Sequence, residues 1–223
     1  MAEIILLRHA QASFGTDNYD RLSPVGRKQA LWLGEHLKRL DMGYDLVVMG
    51  AMARHRETAE NVLSGLGSSV QPLVYPGLDE YDLQGLLAAF KTAFPGEWSD
   101  SGKVGRDYYH NMKSALAHWM DGTVESDGRD SWANFRERIY RSLDAVCDQS
   151  FKRALLVTSG GPVAVILARL LGLDAQRTCN LIVQVKNSST STLLYNRVEL
   201  SLDSFNDTSH LQTPERQQYI TFF

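Results

Sequence analysis

The sequence predicts an α/β fold: a mostly parallel central sheet covered by helices on both faces, with an inserted helical cap. Three observations carry the prediction. The runs EIILL, YDLVVMG and RALLV hold aliphatic residues without polar alternation, the pattern of strands buried on both faces. Each run leads into a stretch with helical spacing of apolar residues, and repeated strand-to-helix units imply right-handed crossovers. Both patterns weaken over residues 83–132, between the second unit and the third, which marks that stretch as the cap of a single domain spanning 1–223.

Each element has a local reason. Glu3 to Leu7 forms the first strand. In LSPVGRKQALWLGEHLKRL, Ser23 is suited to cap a helix and Pro24 to its first turn, while Ala30, Leu31, Leu33, Leu37 and Leu40 fall near helical spacing. After the second strand, AMARHRETAENVLSGLG reads as a helix that Gly65 or Gly67 ends. Inside the cap, FPGEWSDSGKVG and DGTVESDGRDS are loop-like and flank a helix from Arg106 to Met120. WANFRERIYRSLDAVCDQSF returns the chain to the sheet, and PVAVILARLLG follows the third strand as an apolar helix. The tail, CNLIVQVKNSSTSTLLYNRVELSLDSFND, alternates and turns like edge strands of a hairpin.

Composition narrows the function. At 223 residues, 43% hydrophobic and 22% charged, the chain is long enough to bury a core and too mixed to be disordered or fibrous. A net charge of -3 leaves no basic footprint for nucleic acid or an anionic membrane, so any anion site must be local. Cys147 and Cys179 are too few for a disulfide framework and lack metal-ligand spacing. No apolar run reaches the ~20 residues needed to span a bilayer, and MAEIILL has no basic leader region, so a cytoplasmic protein is expected.

In open α/β sheets, ligands bind beyond the carboxyl ends of the strands, where helix N-termini also point. Arg8 and His9 follow the first strand, Arg54 lies beyond the second, and Thr158, Ser159 and Gly160 follow the third. Arginine stays charged and offers a planar fork of donors to phosphate oxygens, and two of them can supply much of the neutralisation usually given to magnesium. Neutral imidazole has a free ring nitrogen and can act as a covalent nucleophile. A proton donor for the leaving alcohol is found in GLDEYDLQG, where Glu80 is the first candidate and Asp79 and Asp82 compete. A bound phosphate would raise the pKa of such a carboxyl and keep it protonated.

These residues resemble the histidine phosphatase superfamily, which includes cofactor-dependent phosphoglycerate mutase. LLRHAQ is similar to its RHG motif, LSPVGRKQA to LTxxGxxQA, MARHRETAE to SxxxRAxxTA, LDEYDLQG to LxExxxG and DSWANFRERI to the helix after the cap. VTSGGPVAV occupies the SHGG position, and NDTSHL looks like the tail of the phosphatase branch. The resemblance implies a three-layer αβα sandwich and catalysis through a phosphohistidine, with no metal and no cofactor, on a small phosphorylated substrate. It implies His9 as nucleophile, Arg8 and Arg54 as phosphate clamps and Glu80 as proton donor, with Ser159 also in the catalytic set. Gln11, Phe14 and Gly160 are the further expected phosphate- or substrate-binding positions.

The sequence departs from the family at three places. Ala10 replaces the usual Gly, and Gly15 stands where many mutase-like members have a phosphate-contacting Asn. Ser159 replaces the second catalytic histidine; it can donate a hydrogen bond to phosphate but brings no charge. Losing one preorganised donor costs roughly 10²- to 10³-fold in rate, so a slow phosphatase is expected, and Ser159→His should raise turnover. His55 is assigned no role, because adjacent helical positions do not face the same way.

Other readings stay open. A non-catalytic relative that binds phosphorylated ligands is the main alternative, with a mutase-type phosphotransferase behind it. A serine hydrolase would use Ser159 in a strand-to-helix elbow with Asp203 or Asp207 and His210, but leaves Arg8, His9 and Arg54 without a task. His36, His110 and His118 read as ordinary helix residues, and His210 as a structural hydrogen-bonding residue. Trp98, Tyr108, Tyr109, Trp119 and Trp132 either pack the cap or wall the ligand. Oligomeric state and the identity of the substrate are not readable.

Overall fold

Ile4 and Leu6 of strand β1 (Ala2–Arg8) face one hydrophobic core while Ile5 and Leu7 face another, which is why no polar residue interrupts them. The computed structural model describes residues 1–13, 20–124 and 130–222. After β1 come α1 (Pro24–Arg39), β2 (Leu46–Met49), α2 (Ala53–Leu66), β3 (Leu73–Val74), α3 (Leu83–Ala93), α4 (Val104–Met120) and α5 (Trp132–Cys147). The chain then forms β4 (Arg153–Thr158), α6 (Gly160–Leu171), α7 (Ala175–Ile182), β5 (Thr190–Tyr195) and β6 (Leu200–Asp207). The sheet order is β3-β2-β4-β1-β5-β6. β1, β2, β3 and β4 run parallel, and β5 is antiparallel to both β1 and β6.

Helices cover both faces, giving the expected αβα layers. Ala30, Leu33 and Leu37 of α1 and Ala59, Val62 and Leu63 of α2 fill one core. The other holds Phe135, Ile139 and Leu143 of α5 and Val163 to Leu167 of α6. Leu86 and Phe90 of α3 and Met112, Leu116 and Trp119 of α4 join that second core, so the cap helices share the core of the sheet rather than building their own. Parallel pairing also aligns the carboxyl ends: Arg8 lies opposite Thr158 and Met49 opposite Val157.

Several sequence expectations are corrected. α3 occupies a part of the cap to which the sequence assigns no element; Asp82 accepts the Gly85 N–H as its N-cap, and Leu83, Leu86, Leu87 and Phe90 follow at helical spacing. Cys179 to Ile182, read as the start of a strand, lies in α7, which Asp174 caps through the Arg177 N–H. The hairpin is present, but β5 is interior because β1 needs a partner on that side; only β6 is an edge. A strand of only two residues, β3, precedes the acidic stretch.

Ser23 caps α1 by accepting the Gly26 N–H at 3.0 Å, and its hydroxyl donates to Gln11 Oε1 at 2.8 Å. Ser23→Ala removes both bonds. It should cost about 1 kcal/mol, read as a lower urea midpoint with an unchanged slope.

Candidate active site

At the carboxyl edge of the parallel strands, Arg8, His9, Arg54, Glu80 and Gly160 line one cavity of about 480 Å³. They come from β1 and the residue after it, from α2, from the loop before α3 and from the start of α6. Five residues singled out in the sequence thus meet in one place. Tyr81, Tyr108 and Trp119 add an aromatic side to the cavity. Trp132 packs edge-on to Trp119 with ring centroids 5.2 Å apart, Trp98 lies against Phe90 of α3, and Tyr109 is exposed.

His9 is buried and held from several sides. Its backbone N–H donates to Thr158 O at 2.7 Å, and Ala10 N–H donates to Thr58 Oγ1 at 3.1 Å. Nδ1 lies 2.8 Å from Ala10 O, and since a carbonyl can only accept, Nδ1 carries the proton and Nε2 keeps its lone pair. Burial, then the charges of Arg54 and Arg8, hold the His9 pKa well below its ordinary value. The ring is therefore neutral at physiological pH.

Arg8 donates to Val185 O, which fixes its guanidinium against the segment after α7. Arg54, only 5% exposed, pairs with Asp20 Oδ1 at 2.7 Å, and Asp20 Oδ2 accepts the Ala53 N–H at the start of α2. Two guanidiniums beside a neutral imidazole make this cavity receptive to an oxyanion.

Environment separates the three carboxylates. Asp82 is engaged as the cap of α3. Burial would raise the Asp79 pKa, but His55 and the N–H groups of Ala51 and Met52 hold it below the usual range. For Glu80, burial raises the pKa and prevails over the Gly161 amide and the charges of Arg54 and Arg8. That rise comes from the protein itself, before any phosphate adds its charge. Glu80 Oε2 accepts the Gly161 N–H at 3.0 Å, an approach that needs glycine, since a Cβ there would lie 2.1 Å from Oε1. Arg138 of α5 steadies the loop by donating to Gly77 O and Asp79 O at 2.8 and 2.6 Å.

The remaining expected residues are placed differently. Gln11 is not among the residues lining the cavity; its side-chain oxygen accepts from Ser23 and its backbone N–H donates to Gln29 Oε1 at 2.8 Å. Its motif position is thus used to seat α1. Phe14 and Gly15 lie outside the described residues. Ser159 is fully buried behind the lining, with Oγ 2.7 Å from Nε2 of His55. His55 is the residue the sequence reading passed over. Its premise was sound, because Arg54 reaches the cavity and His55 does not, but the other direction leads onto Ser159.

The serine-hydrolase arrangement with His210 is not assembled. His210 lies 2.9 Å from Ser188 Oγ, and burial pushes its pKa down to about 3, the structural role expected of it.

The strand ends of this parallel-sheet α/β protein thus gather a neutral histidine, two arginines and a carboxyl of raised pKa around a cavity suited to an oxyanion. The chain belongs to the histidine phosphatase superfamily (branch 1), whose family model matches residues 4–208. A 2,3-bisphosphoglycerate-dependent phosphoglycerate mutase of Bartonella quintana (strain Toulouse) is 26% identical over 104 residues, 44% of this chain and 50% of the relative. The chain thus spans about half the length of the curated relatives it matches. Among solved structures, a mutant phosphoserine phosphatase from Entamoeba histolytica in complex with phosphoserine superposes with a TM-score of 0.67 at 18% identity, covering 95% of this chain and 100% of the other. A mycobacterial glucosyl-3-phosphoglycerate phosphatase complexed with VO3 gives 0.65 at 21% identity, with 92% and 99% covered. These likenesses establish a shared fold. No helix among the described residues is long and apolar enough to cross a membrane.

Proposed function

We propose that the protein is a metal-independent phosphomonoesterase that works through a phosphohistidine. The observation that carries this reading is the His9 ring, its Nδ1 tied to Ala10 O so that Nε2 is bare, in a cavity shared with two guanidiniums and a carboxyl whose pKa burial raises. His9 Nε2 attacks phosphorus as the bond to the leaving oxygen breaks, and Glu80 gives its proton to that oxygen. The Glu80 carboxylate then takes a proton from water as the water attacks phosphohistidine, releasing orthophosphate and restoring both groups. Arg8 and Arg54 neutralise the phosphoryl oxygens throughout, in place of a metal ion. The phosphoserine phosphatase and glucosyl-3-phosphoglycerate phosphatase that share this fold support a small phosphorylated substrate, and the cavity volume is of that order.

A screen of phosphate esters in EDTA tests this. Orthophosphate release that survives EDTA and is inhibited by vanadate is expected; a requirement for added metal would count against it. Transfer to a second hydroxyl instead of water is the mutase reading that the curated relatives favour, and the ratio of orthophosphate to transferred phosphate in the same screen decides between them.

A further inference from the structure

Beside the cavity, a line of three side chains runs from Asp79 through His55 to Ser159. His55 Nε2 is 2.7 Å from Ser159 Oγ, and His55 Nδ1 is buried without a hydrogen bond among the described residues, 3.5 Å from Asp79 Oδ1. Asp79 Oδ1 also accepts the N–H groups of Ala51 and Met52, at 2.6 and 3.3 Å, which fixes the carboxylate at the start of α2. Gly50 leaves room for the line: a Cβ there would sit 2.2 Å from His55 Nδ1 and 2.5 Å from Asp79 Oδ1. The far end borders the reacting region, since the His9 and His55 rings are 5.8 Å apart and Gly160, next to Ser159, lines the cavity.

A buried imidazole between a carboxylate and a hydroxyl can exist in two hydrogen-bonded states. Neutral His55 carries its proton on Nδ1, toward Asp79, and accepts the Ser159 hydroxyl hydrogen at Nε2. Protonated His55 donates from Nε2 to Ser159 Oγ, and the serine hydrogen must then turn to another acceptor. We propose that His55 is a positioning residue that takes up a proton from solvent when an oxyanion binds beside His9, acting through Ser159 to add one positive charge and one donor to the site. The proposal rests on the phosphoryl-transfer reading above.

The charges around His55 set the direction. Burial lowers its pKa, with the Asp79 carboxylate opposing, Arg54 adding to the fall and Asp20 pulling the other way. His9 is the remaining titratable neighbour named by geometry, and it is held neutral. In the anion-free site the balance keeps His55 neutral; a phosphoryl dianion beside it shifts the balance toward imidazolium. A charged His55 also disfavours protonation of His9, which keeps the nucleophile bare.

This arrangement revises the expectation for Ser159→His. A second ring at 159 would compete with His55 for space in which the two side chains already touch and neither is exposed, so that variant alone should lose activity. His55→Ala should lose roughly ten- to a hundredfold in kcat, the range of one charge-assisted hydrogen bond, and combining it with Ser159→His should recover most of the loss. His55→Gln, which bonds but cannot ionise, should stay low. A Ser159→His variant as active as the unmodified protein, or a His55→Gln variant of full activity, would overturn the proposal.

A measurement without turnover keeps the test independent of folding in the variants. Orthophosphate and vanadate are titrated into the unmodified protein, with the His55 ring nitrogens followed by NMR and proton uptake by calorimetry in buffers of different ionisation enthalpy. Conversion of His55 to imidazolium, and uptake missing in His55→Gln, are expected. Binding with His55 still neutral would overturn this inference alone, whereas no binding at all would overturn the phosphoryl-transfer reading and this inference with it.

Discussion

His9→Ala should abolish hydrolysis, with a loss of roughly 10⁴-fold or more, because among the described residues no other side chain lining the cavity offers a bare nucleophilic nitrogen. Arg8, Arg54 and Glu80 remain in the variant, so vanadate binding and the thermal midpoint should change little while phosphorylated enzyme disappears. Trapping with labelled substrate gives the sharper readout. The unmodified protein should acquire an alkali-stable, acid-labile phosphoryl group on His9, and His9→Ala should acquire none. A variant that keeps more than a few per cent of the rate would mean that water attacks phosphorus directly and that the imidazole serves only to hold the anion.

Much of this site is legible in the sequence because its parts hang on strand ends. A buried aliphatic run followed by Arg8 and His9 fixes both where the strand stops and what chemistry stands there, and the parallel pairing of β1 with β4 then brings Gly160 alongside. The sequence places Glu80 ahead of Asp79 and Asp82, but the physical difference among them is not legible there, since it depends on which carboxyl the fold buries and which it assigns to capping. Gln11 shows a second limit of motif position: the sequence points it to a ligand, and the structure also gives its side-chain oxygen a bond from Ser23. His55 was hidden for a further reason. Helical geometry says where its side chain does not point, while its partner Ser159 is 104 residues away in sequence and known only once α2 and the turn after β4 are packed together. α3 was missed because its short run of apolar residues lies between loop-like segments, although Asp82 gave the start signal.

Glu80→Gln should separate the two halves of the reaction. Glutamine preserves the shape, and its carbonyl oxygen can still accept the Gly161 N–H, but it has no proton to transfer. An alkyl phosphate, whose leaving oxygen needs protonation, should lose roughly 10²- to 10⁴-fold in the first step, the range of general acid catalysis. p-Nitrophenyl phosphate, whose leaving group departs as an anion, should still phosphorylate His9 quickly and then stall, since the variant also lacks the base that activates water. A burst approaching one equivalent of nitrophenolate, followed by slow turnover, is the expected trace. The pH profile adds a check whose sign follows from the shift. Burial raises the Glu80 pKa, so the reactive acid form persists to higher pH than in an ordinary glutamate and is lost as pH rises through that raised value. The resulting alkaline limb for alkyl esters should vanish in Glu80→Gln, leaving the acid limb set by protonation of His9. Equal losses in the first step for both leaving groups, or an alkaline limb that survives the substitution, would remove Glu80 from the role of acid and return Asp79 and Asp82 to contention.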